Sequence, residues 1–162
     1  MAKEKEVLGR VETISFPRIK GAKIVARIDT GARTSSLWAS KVRIRDDGRL
    51  SFRFFDRQSP FYTGKDILVS SYEETVVSSS MGGIQKRYKI KLTIRIHDRK
   101  IRAAFTLADR SRQVYPVLIG RNVLRGKYMV DVTRGKALTQ AEKDKTNELR
   151  KLLKPTKKGA KK

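Results

Sequence analysis

Alternation of apolar and polar side chains is the feature of this sequence that most constrains its fold. In residues 88–96 every second residue is apolar, and the residues between are Lys, Thr or Arg. This period of two is typical of a strand with one buried face. The pattern returns in residues 101–107, and the four residues between the two runs have the length of a hairpin turn. The two runs therefore predict a long β-hairpin.

Shorter runs of the same kind fill most of the remaining chain. They occupy residues 7–14, 22–28, 42–45, 50–55, 74–78 and 128–132, and they are separated by Gly, Pro, Asp or Ser. No long segment with a period of 3.6 occurs before residue 139. We therefore expect residues 1–140 to form one all-β domain, a barrel or a sandwich.

The carboxy-terminal segment, residues 141–162, differs from this pattern. Thr139 begins a capping box with Glu142, and Pro155 ends the helical stretch. A thin apolar stripe predicts a marginal helix, and its members are Ala141, Leu149, Leu152 and Leu153. Residues 156–162 are Lys-rich with nothing to bury, which predicts a disordered tail.

Composition excludes several classes of site and partner. The net charge is +23, of which residues 1–140 carry +17, so positive potential attracts nucleic acid or acidic peptides to the body as well as the tail. The chain has no Cys and a single His, which closes nearly every route to zinc, and we expect no metal and no cofactor. No apolar run reaches the length of a membrane span, so we predict a cytoplasmic protein without a membrane partner.

Asp29-Thr30-Gly31 is the first motif that bears on chemistry. It directly follows the predicted strand 22–28, which places a carboxylate just beyond a strand end, in a turn where Gly31 allows close approach of another backbone. Asp-Thr-Gly is the signature of aspartic proteases. The alternative is an ordinary turn between strands, in which the Asp side chain bonds its own backbone.

Two further motifs follow in the chain. Residues 117–124, Val-Leu-Ile-Gly-Arg-Asn-Val-Leu, predict a strand, a glycine and a short helix, and residues 80–85, Ser-Met-Gly-Gly-Ile-Gln, directly precede the long strand. The three motifs resemble retroviral proteases, which carry the Asp-Thr-Gly loop, a glycine-rich flap and a Gly-Arg-Asn segment in this order. The resemblance implies a closed retropepsin-like barrel with a short helix after the Gly-Arg-Asn segment.

The surrounding residues are more narrowly similar to the bacterial and archaeal retropepsin-like family that is often labelled ATP-dependent zinc protease. The residues oppose that label. There is no His-Glu-x-x-His motif, and residues 120–127 miss the spacing of a phosphate-binding loop and its Ser or Thr. The family resemblance also points to acidic or polyglutamate-type peptides as substrates.

The resemblance implies roles for individual residues. Hydrolysis needs one carboxylate to deprotonate water and another to protonate the scissile carbonyl, so one Asp29 per chain implies a homodimer whose paired carboxylates share a proton. Thr30 would lock the two loops together. The implied catalytic residues are Asp29, Thr30 and Gly31; the implied substrate-binding residues are Ala32, Arg33, Met81, Gly82, Gly83 and Ile84; the implied supports of the site are Gly120, Arg121 and Asn122.

Two features depart from the viral pattern. Arg33 stands where retroviral proteases have an Asp that pairs with the Arg of Gly-Arg-Asn, so Arg33 and Arg121 would repel unless another acid serves them. The stretch before the flap is also longer, which predicts an inserted hairpin around residues 42–55. Both departures bear on specificity more than on fold.

A catalytically silent binding protein for nucleic acid or the ribosome is the alternative function. Its candidate polyanion-binding face consists of Arg87, Lys89, Lys91 and Arg95, although no aromatic pair on that face offers a stacking platform. Other chemistry-bearing residues have ordinary interpretations. We expect His97 to be an exposed turn residue, Asp109 a turn residue, and Trp38 a core or dimer-interface residue.

Overall fold

A computed structural model describes residues 4–78, 82–135 and 140–153 of the chain. Its strands are β1 (Glu6–Leu8), β2 (Val11–Ser15), β3 (Ile24–Ile28), β4 (Ser35–Ile44), β5 (Leu50–Phe54), β6 (Ile67–Val69), β7 (Glu73–Ser78), β8 (Ile84–Ile96), β9 (Arg99–Ala108), β10 (Val117–Ile119) and β11 (Tyr128–Val130). Its helices are α1 (Arg121–Leu124) and α2 (Gln140–Leu153). The predicted flap residue Met81, the capping residue Thr139 and the tail lie outside the described residues.

Six strands close into a barrel, as the sequence predicts. Their order is β3, β2, β8, β9, β4 and β10, and β10 pairs again with β3 to complete the ring. The alternating apolar residues fill the interior, where Ile90, Ile94 and Phe105 are at most 2% exposed. The β8–β9 hairpin pairs Lys89 with Thr106 through to Ile96 with Arg99, which confirms the predicted long hairpin.

Strand β4 serves both the barrel and a hairpin outside it. Its first residues pair with β9. From Ala39 to Ile44 it pairs with β5, with a register shift between Ser40 and Arg43, and β5 pairs with β6. Lys41 has a φ of 52° at this irregularity. The inserted hairpin is therefore present, but β4 begins well before the predicted residues 42–45, and β6 was missed because its three residues carry little pattern.

The predicted strand 7–14 is wrong, because it consists of two strands. The chain turns at Gly9, where a Cβ would lie 2.8 Å from the backbone of Arg134. This turn lets β1 leave β2 and pair in parallel with β11. The turn is fixed by the Gly9 N–H, which donates to Glu12 Oε1 at 2.8 Å.

Helix α2 forms. In its predicted apolar stripe Leu149 is half-buried, whereas the two last members are exposed. Leu152 and Leu153 are 69% and 84% exposed. Glu142 is instead buried, with no hydrogen-bond partner for its carboxylate oxygens among the described residues. Burial, together with the nearby Glu142 carboxylate, raises the pKa of Tyr115 to about 12. None of the helices in the described part of the chain is long and apolar enough to cross a bilayer.

Candidate active site

The Asp29 loop leaves the end of β3 at the position where β10 lies beside it. The Asp29 N–H donates to the carbonyl of Ile119 at 2.8 Å, and Ile119 pairs with Ile28. Within the loop the Gly31 N–H donates to Asp29 Oδ1 at 2.9 Å, and the Ala32 N–H donates to the Asp29 carbonyl at 3.2 Å. The loop therefore holds the carboxylate, half-buried, at the edge of the barrel.

The Gly-Arg-Asn segment holds this loop from below. Gly120 is buried, and a Cβ there would lie 2.8 Å from the carbonyl oxygen of Ala32 and 2.9 Å from Thr34. The Arg121 N–H donates to the same Ala32 carbonyl at 2.8 Å. Only glycine fits this close crossing of two chain segments, which explains the motif at position 120.

Arg121 and Asn122 are the first residues of α1, so the helix begins within the Gly-Arg-Asn segment. Arg121 Nη1 donates to the carbonyls of Thr30 at 3.2 Å and Gly31 at 3.0 Å. The expectation that an acid would have to replace the missing Asp is therefore wrong, because backbone oxygens take the guanidinium. Arg33 is exposed.

Ser35, which in sequence could only be considered as a partner of His97 in a nucleophile and base pair, is instead a structural support of the site. Its buried hydroxyl accepts from the Gly120 N–H at 2.9 Å and donates to Asn122 Oδ1 at 2.8 Å. The same Oδ1 accepts from the Ser35 N–H, and Asn122 Nδ2 donates to the carbonyl of Ala104 in β9. One amide thus joins the loop, the helix and the barrel wall.

Arg110 lies within electrostatic range of the candidate catalytic carboxylate and of two other arginines. Burial, together with the charges of Arg87 and Arg27, lowers the pKa of Arg110 to about 10, and the charge of Asp29 opposes this shift. Arg110 is held by its Nε, which donates to the Tyr115 carbonyl at 3.0 Å. Arg87 is itself half-buried, and desolvation lowers its pKa. Neither Arg27 nor Arg110 was predicted from the sequence to lie near the site. The position of Arg27 could have been inferred, because it precedes the inward-facing Ile28 in a strand and therefore faces outward.

The flap strands β7 and β8 pair from Glu73 with Lys89 to Ser78 with Ile84. Gly82 has a φ of 81°, a backbone region that favours glycine. Ile84 is 80% exposed at the described end of the hairpin. The flap therefore exists as a hairpin, and contact of Gly82, Gly83 and Ile84 with substrate stays a prediction.

The proposed polyanion face is less uniform than the sequence implied. Lys91 and Arg95 are exposed, whereas Arg87 and Lys89 are half-buried. Lys89 Nζ lies 3.1 Å from Glu73 Oε2. Two of the four cations therefore remain fully available.

The three other residues considered from the sequence, His97, Asp109 and Trp38, make contacts that stabilise the fold. His97 is in the β8–β9 turn, 42% exposed, with Nδ1 3.3 Å from Glu6 and Nε2 3.1 Å from Glu12. Asp109 accepts from the Ser111 N–H as a turn residue does, and Trp38 packs in the core against Phe55. No three His, Cys, Asp or Glu side chains within residues 4–78, 82–135 and 140–153 could together hold a metal ion, so these residues offer no site for the zinc of the family label.

Comparison with known proteins agrees with this geometry. A solved protein of unknown function from Legionella pneumophila has the same fold, with a TM-score of 0.59, 24% identity, and coverage of 83% of this chain and 98% of that one. Two relatives named "Probable alpha-L-glutamate ligase", from Shewanella halifaxensis and Shewanella pealeana, are each 30% identical over 86% and 81% of this chain. The chain spans only 31% and 29% of their lengths. The family model for the retropepsin-like aspartic endopeptidase RimB matches residues 7–141, and the chain belongs to this RimB-like family.

Proposed function

We propose that this protein is an aspartic endopeptidase that acts as a homodimer, with Asp29 of each subunit at a shared site. The observation that carries the proposal is the joining of two motifs: the Asp29 loop leaves the barrel beside β10, and Arg121 of the Gly-Arg-Asn segment holds the loop backbone at Thr30 and Gly31. A single carboxylate supplies only half of the chemistry. A second copy related by a two-fold axis supplies the other half.

In the proposed reaction one Asp29 carboxylate takes a proton from water, and the oxygen of that water attacks the carbonyl carbon of the peptide. The protonated Asp29 of the other subunit gives its proton to the carbonyl oxygen. When the intermediate collapses, the C–N bond breaks and the first Asp29 gives the proton it took from water to the leaving amine. The other Asp29 regains its proton from a hydroxyl group of the intermediate as the new carbonyl forms. The fixed loop contributes to this reaction by positioning the carboxylate and by stabilising the charge that develops on the reacting atoms.

Exposed apolar residues support a dimer that involves the terminal strands. Met129 in β11 is 58% exposed, and Val132 just beyond it is 71% exposed. A cavity of about 790 Å³ is lined in part by Thr30, Leu124 and Val130, the last of which is in the same strand as Met129. A second copy that covered this surface would bring the two Thr30 loops together.

We further propose acidic peptides as the substrate class, because the positive charge of Arg110 acts on Asp29 and lies within range of two more cations, Arg27 and Arg87. A carboxylate side chain on either side of the scissile bond would be drawn to these groups. The names of the matched relatives concern glutamate, which supports glutamyl peptides within that class. A cytoplasmic location stays a prediction from the sequence.

The test compares the wild type with Asp29→Asn on a library of acidic peptides between about pH 4 and pH 7. The amide keeps the shape of the carboxylate but cannot act as a base, so the variant should lose cleavage and keep its fold. Cleavage by the variant at the wild-type rate would contradict the proposal. So would the absence of cleavage by the wild type across this range.

Nucleic-acid binding without proteolysis is the second candidate, and the exposed Lys91 and Arg95 favour it. Removal of residues 154–162, which carry a net +5, should weaken RNA binding and flatten its salt dependence. This truncation spares α2, whose Glu142 is buried. Tight RNA binding at physiological salt, with no peptidase activity, would favour this candidate.

A further inference from the structure

A groove of about 820 Å³ lies on the outside of the barrel, beside the middle of β8. We call it the outer groove. One wall is the segment 68–73 that leads into β7, and another is formed by Phe16, Pro17 and Arg18. Its floor includes residues 90–93 of β8 together with Lys100, Arg102 and Ala104 of β9.

The floor of the outer groove contains an unpaired strand edge. Strand β9 covers one edge of β8 from Lys89 to Ile96. On the other edge, β7 pairs only as far as Lys89, and β2 pairs only with Arg95 and Ile96. Residues 90–94 therefore have no strand partner on this edge among the described residues. At about 3.4 Å per residue the gap is roughly 17 Å long, enough for a short extended segment.

Cations line one face of this edge. Lys91, Arg102 and Lys100 share the outer face of the β8–β9 hairpin, because Thr93 pairs with Arg102 and Lys91 with Ala104. These three residues and Arg18 are exposed, and none forms an ion pair or a side-chain hydrogen bond with another described residue. Such unneutralised charge repels another copy of this basic chain and attracts an acidic one.

The other side of the groove is apolar. Leu68 and Val69, both half-buried, supply its accessible apolar surface, together with the buried Phe16, Phe54 and Leu92. A strand seated on β8 points alternate side chains toward these two surfaces. The surface therefore matches a segment in which acidic and apolar residues alternate.

The aromatic residues of the groove argue against single-stranded nucleic acid as its ligand, because each ring is either buried or already engaged. Phe16 and Phe54 are only 2% and 6% exposed. Tyr72 is already engaged, since its hydroxyl donates to the Gly48 carbonyl at 2.8 Å and its ring packs edge-on against Tyr88. No ring in the groove is free for bases to stack upon.

We propose that the outer groove binds an extended acidic segment of a partner protein, which adds as a strand to residues 90–94 of β8. Acidic residues at every second position meet Lys91, Lys100 and Arg102, and the apolar residues between them face the half-buried Leu68 and Val69. The site lies outside the Asp29 loop and does not depend on hydrolysis. A basic segment, such as residues 154–162 of this chain, is repelled.

The test uses full-length protein with Asp29→Asn, so that the peptidase proposal and this one fail separately. A fluorescent peptide of about ten residues with alternating Glu and Val is titrated by anisotropy. One control peptide groups the same glutamates together, and another carries N-methyl groups on the amides that would pair with β8. Both controls should bind at least about tenfold more weakly.

Charge reversal in the protein provides the matched comparison. Lys91→Glu with Arg102→Glu should weaken binding of the alternating peptide about tenfold or more. Lys143→Glu with Arg150→Glu, on the exposed face of α2, changes net charge equally and should alter affinity less than about twofold. Thermal unfolding of each variant checks the fold.

Three outcomes would overturn the proposal. One is equal binding of the alternating and N-methylated peptides, and another is equal loss of affinity in both charge-reversed proteins. The third is that no peptide binds while an RNA oligonucleotide does, with its affinity reduced by the Lys91 and Arg102 substitutions, which would assign the groove to nucleic acid.

Discussion

The hydroxyl of Ser35 donates a hydrogen bond of 2.8 Å to the side-chain oxygen of Asn122 across 87 residues of sequence. Ser35 begins β4 just after the Asp29 loop, and Asn122 lies in α1. The two side chains fix the exit of the loop against the helix. Through Asn122 Nδ2 and the Ala104 carbonyl, the link extends to the barrel wall.

Ser35→Ala should destabilise the protein by about 1–3 kcal/mol, because it leaves the buried Gly120 N–H without its acceptor. Urea unfolding measures the change. Ser71→Ala, at an exposed position, is the control and should shift stability by less than about 0.5 kcal/mol. Equal effects of the two substitutions would show that the Ser35 network contributes little.

Gly120→Ala should cost about 2–3 kcal/mol and reduce cleavage, since the added Cβ would meet the Ala32 carbonyl at 2.8 Å. The control is Gly48→Ala, where the space is open and only the positive φ of 82° opposes the side chain. That substitution should cost about 1 kcal/mol and leave activity unchanged. The account fails here if Gly120→Ala retains both wild-type stability and wild-type turnover.

Arg110→Gln should raise KM for acidic peptides about tenfold, because it removes a positive charge beside Asp29. Neutral peptides should be affected much less. Since the pKa of Arg110 is about 10, the guanidinium is charged at neutral pH and its contribution should fade only as pH rises through about 10. Arg112→Gln, exposed in the same loop, is the matched control, and equal KM changes in both variants would contradict a role for Arg110.

His97 should make stability depend on pH. Burial of the ring lowers the pKa of His97, but its hydrogen bonds to Glu12 and Glu6 together outweigh burial and raise it. The stabilisation is therefore complete below the ordinary pKa of about 6.5 and is lost as pH rises through the higher folded value. Partial exposure limits the effect to less than about 1 kcal/mol. Urea unfolding from about pH 5.5 to pH 8.5 should show this loss in the wild type and not in His97→Asn, which tolerates the φ of 51°.

Local sequence patterns were enough to predict much of the fold and part of the candidate site. Alternation defined β8 and β9, and Gly82 and Gly120 lie where backbone geometry requires glycine. Long-range contacts escaped prediction. The break at Gly9 depends on the backbone of Arg134, and the position of Arg110 beside Asp29 depends on the closure of the barrel. The hydrogen-bond partners of Arg121 could not be predicted from the sequence either, because they are backbone carbonyls, which any residue type could supply.

The central claim, that two copies of Asp29 form one hydrolytic site, is tested most directly by mixing the wild type with Asp29→Asn protein. Cleavage of an acidic peptide is measured after subunit exchange, at constant wild-type concentration. If each site needs both carboxylates, an equal amount of variant should reduce activity to about half, and an excess of about tenfold should nearly abolish it. Activity that is unchanged by excess variant would contradict the shared site.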